Sequence, residues 1–377
     1  MIRFLAAAAA LTAASWAQEV DHSKMDHSKM DHSQMDHSQM DQSQMDHSAM
    51  PAQPMDDEGR RKSAMAHSTG HKMGGAVYEE MRQNIPTYRS MTDNEMDLAM
   101  GMMGDDMEWY VSDKSLKGDV GVLLLAHGTG GGGDRVLRNI AEPLSKRVPT
   151  AIAFGMAMMA SDHIQAAVDD LTASGAKTIV VVTGQATEAN SLSRQWNYVF
   201  SRGDKVSYAT VPRLKTDAKI IFKGSYGFNP TIAQIMVDHA REVSKDPAKE
   251  LVLLVTHGPE EVEDNVVELE TLQKYADNIK SAVGFSDVKA ISLQDDALPA
   301  LRAGNVKRMR RYAETAIRQG KKVLVVAAVT QSLGIQQKLY SDLDGIAFTY
   351  NEKGLSGHPN YARFIDETVL AALAEGS

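Results

Sequence analysis

The 377 residues carry 40 Lys+Arg against 49 Asp+Glu, a formal net charge of -9, with 22 Met, 12 His and no Cys. An acidic balance without a basic tract gives a phosphate backbone nothing to bind, so no nucleic-acid partner is expected. The absence of cysteine excludes disulfides, iron–sulfur clusters, thiolate zinc sites and cysteine nucleophiles; any metal must be held by His, Met, carboxylate or backbone oxygen.

Residues 1–17 read as a secretory signal peptide. Arg3 supplies one cation, Phe4 to Ala14 is an apolar run short for a bilayer, and Ser15-Trp16-Ala17 places small residues around a cleavage point. An uncleaved anchor fits less well, because polar chain begins immediately after Ala17. No other stretch is long and apolar enough to cross a membrane, so the mature protein is expected to be exported to the periplasm with no membrane span.

Residues 18–75 form a tail that repeats M-D-H-S-K/Q with a period of five. Met25, Met30, Met35, Met40, Met45 and Met50 run in register beside His22, His27, His32, His37 and His47, and His67, His71 and Met73 extend the chemistry. Five matches neither the helical nor the strand period and offers no face to bury, so disorder is expected. Thioether suits Cu(I), and imidazole suits Cu(II) and several divalent ions. The tract resembles the M-D-H-S segments of periplasmic copper-resistance proteins, which implies copper as its ion.

Residues 76–118 read as a Met-rich helical linker. Met96, Met100, Met103 and Met107 recur at helical spacing between Thr92 and Trp109, a stripe that serves as a docking face or, shielded by Trp109, as a Cu(I) site.

From Asp119 the chain alternates. Strands are expected at Val120–Ala126, Ala151–Gly155, Thr178–Thr183, Val206–Val211 and Ile220–Phe222, with helices at Arg135–Arg147, His163–Ser174, Glu188–Phe200 and Thr231–Ser244. The order then restarts: strands Leu251–Thr256, Val288–Leu293, Val323–Val329 and Ile346–Tyr350, with helices through 260–282, up to Gln319, Gln336–Ser341 and Tyr361–Ala374. Such alternation implies parallel sheets covered on both faces.

The halves are related. Leu123-Leu-Leu-Ala-His127-Gly128 corresponds to Leu253-Leu-Val-Thr-His257-Gly258, and Ser225-Tyr-Gly-Phe-Asn229-Pro230 to Leu355-Ser-Gly-His358-Pro359, each displaced by about 130 residues. Two α/β lobes, 119–247 and 248–377, are therefore expected across a cleft. Ligands of open parallel sheets meet the carboxyl ends of strands, where His127 and His257 lie. Met156, Met158, Met159 and His163 follow the second strand of lobe 1 and should gather at the same edge. The Gly130–Gly133 run matches neither the dinucleotide fingerprint nor the phosphate loop, so no nucleotide or flavin is expected.

Strand-His-Gly followed by helix, strand, helix and strand, with Asn229-Pro230 or His358-Pro359 opening the last helix and the unit repeated, resembles the sirohydrochlorin cobaltochelatases and ferrochelatases, the class II tetrapyrrole chelatases. The resemblance runs from about Asp119 to the C-terminus. It implies three-layer α/β/α lobes enclosing a tetrapyrrole, with His127 and His257 at the position of the histidine that binds the metal and helps remove pyrrole protons. The family's Glu after the second strand is replaced by Met156-Ala157-Met158-Met159 and by Gln294-Asp295-Asp296. Its second His, in the Gly-rich turn after the third strand, is replaced by Gly184-Gln185-Ala186-Thr187 and Gly334-Ile335-Gln336.

Two functions follow. One is a lyase inserting Co²⁺ or Fe²⁺ into a tetrapyrrole, with His127 and His257 as catalytic ligand and base. The other is a non-catalytic copper-binding or copper-tolerance protein reusing that fold, with His127, Met156, Met158, Met159 and His163 as a folded site and the tail as scavenger. A hydrolase lacks any nucleophile elbow.

Overall fold

The computed structural model describes residues 53–64, 75–101, 106–129, 132–331 and 335–375, which belong to one compact unit. The signal segment, the tail ligands from His22 to Met50, His67, His71, Met73 and Met103 lie outside the described residues.

The first sheet contains β1 (Arg60–Lys62), β2 (Met107–Tyr110), β3 (Val120–Ala126), β4 (Thr150–Phe154), β5 (Thr178–Gln185) and β6 (Lys219–Ser225), in the order β1-β2-β4-β3-β5-β6. The second contains β7 (Glu250–Thr256), β8 (Asp287–Ser292), β9 (Lys322–Ala327) and β10 (Thr349–Asn351), in the order β10-β9-β7-β8. Read from the opposite edge, the second sheet repeats β4-β3-β5-β6 strand for strand, so the duplication seen in the motifs is also one of topology. All pairs within these two quartets are parallel. The central strands are buried on both faces, which is why β3 and β7 read as nearly continuous aliphatic runs rather than alternating ones.

The helices are α1 (Ala76–Asn84), α2 (Asp93–Gly101), α3 (Gly132–Ser145), α4 (Asp162–Ala173), α5 (Ser191–Val199), α6 (Pro230–Val243), α7 (Val262–Val283), α8 (Pro299–Arg318), α9 (Gln336–Asp342) and α10 (Pro359–Glu375). α6 starts where it does because the Asn229 side chain accepts from the amides of Thr231 and Ile232, and Pro230 occupies a first-turn position with no amide to satisfy.

Three expectations are corrected. Met107 does not continue a helix from Thr92: α2 ends at Gly101, and Met107–Tyr110 is a strand antiparallel to β4. Trp109 and Tyr110 favour a pleated surface, and two neighbouring strands satisfy the backbone. Residues 60–62, expected within the tail, form β1 antiparallel to β2, so the first sheet is mixed. Val206–Val211 is irregular chain that buries Tyr208, Ala209 and Val211 without joining a sheet.

The largest core lies between the sheets, where Val122, Leu124 and Val180 of one meet, through helices, Val252, Leu254 and Leu324 of the other. Its helices are exchanged. α6 packs on β9, β10 and α7, whereas α10 packs on α3, β5 and β6. Each half of the sequence therefore covers its partner's sheet with its own last helix, and a boundary at 247/248 divides the chain but not the packing.

Candidate metal centre at the strand ends

The carboxyl ends of the two sheets meet. The Thr330 hydroxyl beyond β9 donates to the carbonyl of Gly184 in β5 at 2.9 Å, and Gln331 donates to Asp134 of α3 at 3.1 Å. Asp134 also accepts from the amide of Thr129, two residues past His127, at 2.8 Å. In the other direction Glu268 of α7 accepts from Thr256, the residue before His257, at 3.1 Å and from Thr187 of lobe 1 at 3.2 Å. Burial raises the Glu268 carboxyl, while those two hydroxyls and nearby His257 act against the rise.

Both strand-end histidines sit in the same turn. Gly128 and Gly258 take φ of +84° and +79°, a left-handed backbone available to glycine. A Cβ on Gly258 would run into Ser292 Oγ and the amide of Gln294. The turn brings His127 Nδ1 to 2.6 Å from the Gly128 carbonyl and His257 Nδ1 to 2.9 Å from the Gly258 carbonyl. A carbonyl can only accept, so Nδ1 carries the proton in a neutral ring and Nε2 keeps a lone pair for a cation or a proton.

The surroundings of Nε2 differ between the lobes. His257 Nε2 is 3.4 Å from Asp296 Oδ2 and 3.8 Å from Asp295 Oδ2, with the imidazole 41% exposed. Among the described residues this trio forms the group of His and carboxylate ligand atoms able to hold a metal, all within 4.8 Å of one another. The register of β7 on β8 causes the meeting: Thr256 pairs with Ser292, so the residues after each strand emerge side by side. Asp295 and Asp296 were visible in the sequence as replacements for a Glu; what sequence alone did not reveal is their approach to His257.

The two carboxylates are not equivalent. The Asp295 side chain is 1% exposed and accepts from Arg302 Nε at 2.9 Å and from Lys338. Burial opposes its charge, but these cations and His257 outweigh it and hold the carboxyl below its usual range. Asp296 is exposed. The trio fits a borderline divalent cation, with the imidazole and Asp296 as the more accessible ligands and Asp295 fixed beside them by Arg302 and Lys338.

Lobe 1 offers no such trio among its described residues. His127 is exposed, and its polar contact is with its own turn. Met156, Met158 and Met159 pack with α1 and α2 against Tyr78, Tyr88 and Tyr208. His163 is 2% exposed in α4, with both ring nitrogens buried and without a hydrogen-bond partner, and burial depresses it to about 4. The expected gathering of His127, the three methionines and His163 at one open edge is therefore replaced by an exposed histidine, a covered methionine loop and an interior imidazole. The reason is the 76–101 segment, which lies over the loop after β4. That segment also reaches lobe 2: burial, then the negative charge of Asp296 and Glu260, raises the phenol of Tyr88.

No protein-family model matches the chain, and no curated protein does. Among solved structures, SirB from Bacillus subtilis with Fe3+ superposes with a TM-score of 0.50 at 16% identity, over 69% of this chain and 98% of that one. DR2241 from Deinococcus radiodurans, a multi-domain protein with structural similarity to chelatases, gives 0.39 at 16% identity over 68% of this chain and 54% of its own. A periplasmic sugar-binding protein from Legionella pneumophila gives 0.28 at 14% identity over 59% and 75%. The SirB superposition shows a chelatase-like α/β fold.

Proposed function

We propose that the protein binds a divalent transition metal through His257, Asp296 and Asp295, and inserts cobalt or iron into a tetrapyrrole of the sirohydrochlorin type. The convergence of that trio at the strand ends of a chelatase-like fold carries the reading. In it the metal is substrate rather than resident cofactor. His257 Nε2 ligates the arriving ion or takes a pyrrole proton, the turn at Gly258 fixes the ring, and Asp296 supplies the second contact. Lys338 and Arg302 keep Asp295 charged and in place.

A non-catalytic copper-binding protein is the second reading, favoured by the thioethers that stand in lobe 1 where lobe 2 has carboxylates. Both are tested together. Purified full-length protein is titrated with Co²⁺ and then with a metal-free tetrapyrrole, following the tetrapyrrole absorption. H257A and D296N are each expected to weaken Co²⁺ binding at the folded site by more than about tenfold, the smaller effect usual even for a supporting residue, and to abolish the metal-dependent spectral change. Co²⁺ binding without any spectral change leaves the copper reading. Unaltered Co²⁺ binding in both variants removes the trio.

The apolar run from Phe4 to Ala14 and the small residues before Gln18 support export through a cleaved signal, with the Met/His tail as a metal-gathering segment in the periplasm. Cell fractionation with N-terminal sequencing should find a periplasmic chain beginning near Gln18; a cytosolic chain retaining Met1 would contradict it.

A further inference from the structure

We infer that the methionines assembled by α1, α2 and the loop after β4 form a second metal site, for a soft monovalent cation such as Cu(I), separate from the His257 trio. Met81, Met96, Met100, Met158 and Met159 are buried in one cluster, with Met91 and Met156 half-buried at its margin. Among the described residues, the other three cores bury Met236 and Met309 as their methionine members. Packing does not require this concentration, because Leu fills a similar volume and loses less side-chain freedom on burial. The shared property of these residues is a neutral thioether, the ligand that favours Cu(I) over harder ions.

The position of the cluster strengthens the assignment. The Met156–Met159 loop follows β4, and the Gln294–Asp296 loop follows β8, the corresponding strand of the repeat. Each holds one non-glycine residue in the left-handed region, Ala157 at φ 54° and Gln294 at φ 49°. The same strained strand-end loop thus presents thioethers in lobe 1 and carboxylates in lobe 2. Thioethers bring no charge of their own to offset an ion's burial, so an ion of single charge suits them better than a divalent one, whose burial among neutral ligands costs more. Tyr78 closes one side with its hydroxyl already committed to Asp97 at 2.6 Å, leaving sulfur as the available donor there. The half-buried Met91 and Met156 are the residues an incoming ion meets first.

This goes beyond the proposed chelation and does not rest on it; it gives the copper reading of the lobe 1 thioethers a defined site. The test uses the full chain with ¹³C-labelled methionine methyls and Ag(I) as a redox-inert probe for Cu(I). Signals assigned by single Met→Leu changes report the cluster separately from the tail. Met96, Met100, Met158 and Met159 methyls should shift on silver addition, and an M158L/M159L chain should bind one equivalent fewer while Co²⁺ binding at His257 is unchanged. Silver in excess over all 22 methionines that moves only tail signals would overturn the site, as would an undiminished count in a folded M158L/M159L chain. A parent chain that binds silver at the cluster but no Co²⁺ would count against the His257 reading alone.

Discussion

One residue type takes three roles here, and neighbours decide which. His127 and His257 share a turn that fixes the tautomer, yet of the two, among the described residues, only His257 has carboxylates within reach, and His163 is interior and held down to about 4 by burial. Glu108 of β2 is the carboxylate counterpart. Its side chain is fully buried with Arg61 Nη1 at 3.6 Å, and Arg61 itself pairs with Asp170 at 2.9 Å. Burial, followed by the nearby Asp170 carboxylate and its charge, pushes Glu108 up to about 9. The folded value lies above the unfolded 4.5, so the stability linked to this proton is complete below about pH 4.5 and is lost as pH rises towards 9. At about 1.4 kcal/mol per pH unit, the deficit at neutrality is on the order of 3 kcal/mol. Glu108→Gln, neutral and nearly isosteric, should therefore be more stable than the parent at pH 7 and equal to it at pH 4. Urea melts across that range check this; a variant less stable than the parent at pH 7 would mean that Glu108 is ionised and held by Arg61.

At the scale of elements, what could be read from the sequence is what depends on neighbours in the chain. β3, β5, β7 and β9 are runs of Val, Ile, Leu and Ala buried on both faces, and their positions follow from that pattern alone. The two His-Gly turns were equally legible, because the left-handed glycine and the strand end lie within two residues of the histidine. β1 was not: Arg-Arg-Lys carries no strand signal, and its conformation comes from pairing with β2, some 45 residues away in the chain. Met107 misled because it stands four residues from Met103, itself three from Met100, which imitates a helix, while the antiparallel partner of the strand, β4, is remote. The metal trio fails to show for the same reason. Asp295 and Asp296 lie nearly forty residues from His257 and meet it only through the β7–β8 register, so the sequence marked the histidine and left its partners unassigned.

The exchange of α6 and α10 is invisible in the sequence for a different reason: strand and helix order is the same whether a last helix covers its own sheet or its neighbour's. Its consequence concerns the whole molecule. α6 buries Ile232, Ile235, Met236 and Val237 in the core that lies against lobe 2. At about 1.5–3 kcal/mol for each large apolar side chain, their removal forfeits roughly 6–12 kcal/mol, as much as the net stability of about 5–15 kcal/mol that holds an ordinary domain folded. A fragment cut at the sequence boundary, 248–377, lacks α6 and keeps an α10 whose own surface, on α3, β5 and β6, is absent. It should show no cooperative urea transition. A fragment from 226 to 358 has the same four strands and restores the helix that covers β9 and β10, at the cost of α10, so it should melt cooperatively or at least at higher urea. Circular dichroism of the two peptides decides between them. A cooperative melt for 248–377 with none for 226–358 would show that each lobe is completed by its own last helix, and that the exchanged core is a contact between finished domains. The expected order would mean that the two strand-end sites are held in register by a single shared core, so that His127 and His257 cannot be separated without unfolding both lobes.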